Sequence, residues 1–176
     1  MKHNSVVLNF KGIFFGSVTG MVLVLGFNHP ATAQNSAEMS NAAASAIISP
    51  LYDALTASSP DVIERLLSQV TSADWQNCGA NDICQSRADV IKRWTGRISV
   101  IPNMRWEQKE LLISGTHIIV RGEDTGTPAM PFLGIQPSGR SFRIITVDIH
   151  DVKDGKVVHT YHVEDWASAI RQLSAP

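Results

Sequence analysis

Phe142-Arg143-Ile144-Ile145-Thr146-Val147-Asp148-Ile149-His150-Asp151-Val152-Lys153-Asp154-Gly155-Lys156-Val157-Val158-His159-Thr160-Tyr161-His162-Val163 decides the fold. Two runs rich in β-branched and aromatic residues flank Asp154-Gly155, a pair suited to the positive φ of a primed hairpin turn. Phe142 to Asp151 therefore reads as a strand and Val157 to Val163 as its antiparallel partner. With a period of two, Phe142, Ile144, Thr146, Asp148 and His150 share one face, and Arg143, Ile145, Val147, Ile149 and Asp151 the other. Across the turn, His159, Tyr161 and Val163 face one way and Thr160, His162 and Glu164 the other. One face thus mixes apolar residues with carboxylates and imidazoles, an arrangement that is costly when buried unless those groups bond one another or a ligand.

The same period extends upstream through Met104 to Leu111 and His117 to Thr125. Between Gly126 and Ser141 lies a Gly- and Pro-rich loop, long enough to be functional. Before Met104 the period becomes helical. Ile47, Ile48, Leu51, Tyr52 and Leu55 mark a first helix, which Pro50 predicts to begin close to that residue. Ser59-Pro60-Asp61 opens a second, with Val62, Ile63, Leu66, Leu67 and Val70 as its stripe. Ser86 caps a third, carrying Val90, Ile91, Trp94 and Ile98, and a short helix over Trp166 to Leu173 ends the chain. Three helices followed by an antiparallel sheet of four or more strands argue an α+β class.

The chain has 176 residues, 44% of them hydrophobic and 18% charged, which suits one domain with a real core and excludes a disordered polymer. Its 15 Lys+Arg balance 16 Asp+Glu without clustering, so no nucleic-acid partner is expected. Lys2 and Lys11 are the only charges before Glu38, and the apolar run from Ile13 to Phe27 is followed by Asn28-His29-Pro30 and Ala31-Thr32-Ala33. That order predicts a signal peptide over residues 1–33, cleaved between Ala33 and Gln34, with no stable membrane insertion afterwards. Residues 34–44 read as a flexible segment and 45–176 as a single domain, exported to a periplasm or secreted. In an oxidising compartment Cys78 and Cys84 are expected to pair as a disulfide.

No phosphate-binding loop, dinucleotide fingerprint, metalloprotease helix or nucleophile elbow is present. Ionisable groups gather instead in the final hairpin: Asp148, His150, His162 and Asp165 are the candidates for acid–base chemistry near neutral pH. Each also has a structural reading. Asp165 suits the N-cap of the terminal helix, His150 and His162 can bridge the sheet, and Asp148 can be a satisfied carboxylate. Asp151 and Asp154 read as turn carboxylates and His159 as a sheet-edge residue. Arg121 either pairs with Glu123 or orients a ligand oxygen, and Trp75 and Phe132 are further candidate ligand contacts. The irregular spacing of His and carboxylates predicts no metal site.

Arg121-Gly122-Glu123-Asp124-Thr125-Gly126-Thr127, Phe132-Leu133-Gly134-Ile135-Gln136-Pro137-Ser138-Gly139-Arg140, Val147-Asp148-Ile149-His150, Asp154-Gly155-Lys156-Val157-Val158 and Tyr161-His162-Val163-Glu164-Asp165 follow in order. The set resembles the SnoaL-like polyketide cyclases, or ester cyclases, of the nuclear transport factor 2-like superfamily. Where that family has a Glu-His-Trp run, this chain has His159-Thr160-Tyr161. The resemblance implies a cone-shaped barrel: a strongly curved mixed or antiparallel sheet packed against three N-terminal helices around an apolar cavity. It implies ring closure of a small carbonyl or ester compound by an intramolecular aldol reaction, or a related isomerisation, with no cofactor. Carried over by motif, Asp165 becomes the acid/base and His150 the enolate partner, with His162 and Asp148 as neighbours. Homodimers or higher homo-oligomers are common in that superfamily. The same cavity would also serve a noncatalytic periplasmic binding module.

Overall fold

The computed structural model describes residues 39–175. The predicted signal peptide therefore lies outside the described residues. The element order is α1 (Asn41–Thr56), α2 (Pro60–Val70), β1 (Thr71–Ala80), β2 (Ile83–Ser86), α3 (Arg87–Val100), β3 (Arg105–Ser114), β4 (His117–Gly126), β5 (Phe142–Lys153), β6 (Lys156–Glu164) and α4 (Trp166–Ser174). Six strands form one curved, unclosed sheet in the order β2-β1-β6-β5-β4-β3. Only the β1–β6 pairing is parallel.

The hairpin that decides the fold forms as its sequence predicts. Asp154 and Gly155 both take positive φ, 50° and 72°, and the strands pair Asp148 with His162 and His150 with Thr160. On β5, Phe142, Ile144, Thr146, Asp148, His150 and Val152 are buried on the inner face. On β4 the inner set is Ile118, Val120, Gly122, Asp124 and Gly126. Helices α1, α2 and α3 cover this face, and Ile48, Leu51, Ile63, Leu67, Val90 and Trp94 join the core. Ser86 caps α3 in a reciprocal box, accepting from Asp89 N–H while the Asp89 side chain accepts from Ser86 N–H.

Two departures have physical reasons. α1 begins at Asn41, well before Pro50, so the proline lies inside the helix. An interior proline costs about 3 kcal/mol. Burial of Ile48, Leu51, Tyr52 and Leu55 offsets it, because each such side chain contributes roughly 1.5–3 kcal/mol. The helices are also not fully segregated, since β1 and β2 intervene between α2 and α3. Thr71-Ser72-Ala73-Asp74-Trp75-Gln76-Asn77-Cys78-Gly79-Ala80 has little strand propensity, and β1 exists because β6 and β2 pair with its two edges. Cys78 and Cys84 face each other in that β1–β2 register and form a disulfide.

Candidate active site

The inner face of the β5–β6 hairpin carries a hydrogen-bond chain whose donors can be ordered from residue chemistry alone. Trp75 Nε1 can only donate, and it does so to Thr160 Oγ1 at 3.0 Å. The Thr160 hydroxyl proton is then free for His150 Nδ1 at 3.0 Å. A neutral His150 accepting there carries its proton on Nε2, which donates to the Tyr52 oxygen at 2.9 Å. Tyr52 in turn donates to Asp148 Oδ2 at 2.9 Å. Every link runs toward Asp148. Burial and the charge of His162 press His150 toward the neutral form, which this order requires. Tyr52 is held by α1 and stacks on Trp106 of β3, with ring centroids 3.6 Å apart. Gly122 on β4 makes room for that indole, since a Cβ there would lie 2.3 Å from Trp106 Nε1.

From the other side, His162 Nδ1 meets Asp148 Oδ1 at 2.5 Å, and His162 Nε2 meets Glu164 Oε2 at 2.9 Å. Burial opposes a charge on His162, but the hydrogen bonds and charges of both carboxylates outweigh it and raise its pKa to about 10. The ring is an imidazolium donating from both nitrogens. Asp148, although buried, is held ionised below the usual carboxylate range: burial opposes its charge, and the bonds from His162 and Tyr52 overcome it. Asp124, fully buried on β4, behaves oppositely. Burial first, then the negative charge of Glu164 and a hydrogen bond to it, pushes its pKa up to about 8; as a carboxylate, neither of its oxygens would find a donor. One face thus holds an ionised aspartate, an imidazolium, a glutamate and a protonated aspartic acid.

His162 and Glu164 border a cavity of about 500 Å³. Its walls are mainly apolar: Leu55 from α1, Trp94 and Val100 from α3, Met104, Phe132 from the β4–β5 loop, and Trp166 from α4. Within that loop Phe132 and Ile135 close a tight turn through Leu133 and Gly134, at φ 52° and 78°, which sets Phe132 edge-on to Trp166. Arg93 and Arg97 of α3 complete the wall. A small hollow beneath, bordered by Tyr52, Asn77, Trp106, Asp148 and Thr160, extends the site toward the hydrogen-bond chain and also touches His162.

The structure brings Asp148, His150 and His162 together and puts Phe132 on the cavity wall. Other candidates lie elsewhere. Asp165 caps α4, accepting from Ser168 N–H at 3.0 Å, and does not line the cavity. Arg121 points from the outer face and pairs with Glu110 at 3.1 Å, not with Glu123. Trp75 is fully buried and supports Thr160 without reaching the cavity. His150 is also fully buried, with both ring nitrogens occupied. Sequence reasoning missed Tyr52, Asp124, Glu164, Arg93 and Arg97 as site residues. The period of two on β4 places Asp124 on the same face as Val120 and Gly122, a usable signal; Tyr52 was hidden within an apolar helical stripe. Among the described residues, the one group of side chains disposed like metal ligands is Cys78, Cys84 and His159, and its cysteines form the disulfide.

Similar architectures are known. A candidate SnoaL-like polyketide cyclase of Jannaschia sp. CCS1 superposes with a TM-score of 0.67 at 18% identity, covering 77% of this chain and 94% of its own. TsrD of Streptomyces laurentii gives 0.67 at 20% identity, over 79% of this chain and all (100%) of its own. A SnoaL-like polyketide cyclase of Agrobacterium tumefaciens strain C58 gives 0.60 at 18% identity, over 74% and 98%. At such identities the likeness is one of fold. No curated protein matches the sequence. The family model for SnoaL-like polyketide cyclase does, over residues 50–173, and this span of most of the chain shows that the protein belongs to the SnoaL-like polyketide cyclase family.

Proposed function

We propose that this protein is a cofactor-independent acid–base catalyst that cyclises or isomerises a small carbonyl or ester compound held in the cavity. One observation carries the reading: His162 lies 2.5 Å from Asp148 and 2.9 Å from Glu164 at the wall of a mainly apolar cavity. Removing a proton from carbon α to a carbonyl needs a base and positive charge beside the developing enolate. Glu164 is the base, binding His162 through Oε2 and taking the substrate proton on its other oxygen. The imidazolium of His162 supplies the positive charge. Asp148 keeps His162 charged and oriented, while His150 and Tyr52 position Asp148. Asp165, assigned the acid/base role by motif resemblance, serves in this reading to start α4 and set Trp166 on the wall. Export through residues 1–33 belongs to the same proposal, and the Cys78–Cys84 disulfide is compatible with it.

Deuterium incorporation from heavy water into a panel of aryl ketones and methyl esters, followed by mass spectrometry, tests the chemistry without knowledge of the natural product. Glu164→Gln is expected to lower exchange at least about 100-fold, Asp148→Asn to lower it as well, and Asp165→Asn, which preserves the cap, to leave it unchanged. Equal exchange by wild type and Glu164→Gln overturns the reading. So does the absence of exchange in any ligand the cavity binds, which would make the protein a noncatalytic binding module.

A further inference from the structure

Four charged side chains line the cavity: Arg93, Arg97, His162 and Glu164. His162 and Glu164 neutralise each other at 2.9 Å, leaving the two guanidinium groups. These stand at i and i+4 on α3, so they share one face of the helix a single turn apart. Among the described residues no carboxylate lies within ion-pair distance of either. Arg97 donates from Nη2 to the Ala57 carbonyl at 2.9 Å, but its buried Nε–H meets no acceptor. Buried donors are rarely left so, and guanidinium groups are suited to the paired oxygens of an anion. The remaining lining is apolar.

We propose that Arg93 and Arg97 form an anion subsite of this cavity, and that its ligand is an apolar molecule bearing a carboxylate. The apolar body lies against Trp94, Met104, Phe132 and Trp166, and the two carboxylate oxygens accept from the two guanidinium groups. This extends the proposed function by naming a substrate class, and rests on it only in taking this cavity as the ligand site. Charge balance agrees: with Asp124 holding its proton, Arg93, Arg97 and His162 outnumber Asp148 and Glu164 by one positive charge, which one ligand carboxylate cancels. A neutral ester would leave the guanidinium groups desolvated and unpaired, and so would bind less well.

Calorimetric titration of the full mature protein with 2-naphthylacetate and with its size-matched neutral amide tests this. The acid is expected to bind at least about tenfold more tightly than the amide, with affinity falling as salt rises. Arg93→Gln, at an exposed helix position, is expected to remove most of that preference; Arg93→Lys keeps part of it. Arg97→Gln should act in the same direction. Equal affinity for acid and amide overturns the proposal, as does an acid preference that survives both glutamine substitutions or the absence of acid binding at millimolar concentration. The outcome is separable from the catalytic reading, which stands or falls on exchange in Glu164→Gln whatever the acid-to-amide ratio.

Discussion

Replacing Asp124 by Asn should stabilise the protein, and by an amount that depends on pH in a way few core substitutions do. The carboxyl group moves from a pKa of 3.8 in the unfolded chain to about 8 in the fold. Below pH 4 both states hold the proton and the group contributes no pH dependence. Between about pH 4 and 8 the unfolded chain has released a proton that the folded chain retains, so stability falls with rising pH by up to about 1.4 kcal/mol per unit. At pH 7 the accumulated cost reaches at most about 4 kcal/mol, and relaxation around the carboxyl group and its coupling to Glu164 reduce it. Asparagine keeps the shape and remains neutral, which removes the titration. Urea denaturation followed by tryptophan fluorescence should show a gain for Asp124→Asn that grows by roughly 1–3 kcal/mol from about pH 5 to about pH 7. A gain identical at both pH values, or a loss of stability that deepens toward pH 7, refutes the assignment of a buried, protonated Asp124.

Gly122→Ala puts a methyl group 2.3 Å from Trp106 Nε1, so the indole must leave Tyr52 and its bond to Thr146. A destabilisation of about 1–3 kcal/mol with altered near-ultraviolet dichroism is expected, and an unchanged spectrum would show that the close approach is not real. Cys78→Ser with Cys84→Ser should cost about 2–3 kcal/mol by denaturation, with wild type in reductant falling to the same value; no difference would mean the pair is not bridged in solution. Nuclear magnetic resonance titration should find His162 doubly protonated at neutral pH and losing its proton near about 10, and in Glu164→Gln lower. Because this pKa lies above its unfolded value of 6.5, the stability His162 confers is complete below that pH and lost as pH rises toward 10. Titration near 6.5 in the folded protein would sink the ion cluster.

The parts of the fold legible in sequence are those where local and tertiary preferences agree. Asp154-Gly155 demanded a primed turn and the flanking residues alternate; an irregularity at Asp151/Val152 then shifts the register by one residue and puts Asp148 opposite His162. Ser86 announced the start of α3, where the structure adds Asp89 as its reciprocal partner. Legibility failed where long-range pairing overrode local signals. The β1 segment has no strand signature and acquires its structure from β6, and α1 carries a proline in its interior because its core face is worth more than the lost hydrogen bond. For the site, the alternation placed Asp148 and His150 on one face of β5, and the register shift at Asp151/Val152 brings His162 onto that face. It could not report that Tyr52, on α1, closes the chain between His150 and Asp148, a contact between residues almost a hundred positions apart. Nor could motif order distinguish the capping carboxylate of Asp165 from that of Glu164, one residue earlier and on the opposite side of the strand.

In the proposed function, that one-residue difference sets which carboxylate is the base. The chain from Trp75 through Thr160, His150 and Tyr52 delivers donors in one direction, and all of them end on Asp148. A carboxylate that accepts from both Tyr52 and His162 is held as an anion and has little basicity left to offer a substrate. His162, fixed between two carboxylates, is equally saturated as an imidazolium. Glu164 is the one carboxylate of this cluster that lines the cavity, where it meets His162 and lies against the protonated Asp124. In the proposed function the buried groups act as a rigid counter-charge system that leaves the Glu164 carboxylate at the wall of a mainly apolar chamber. Exchanging His150 or Tyr52 should consequently weaken Asp148 and alter His162 before it touches the ligand, whereas exchanging Glu164 should remove the chemistry while leaving the chamber intact.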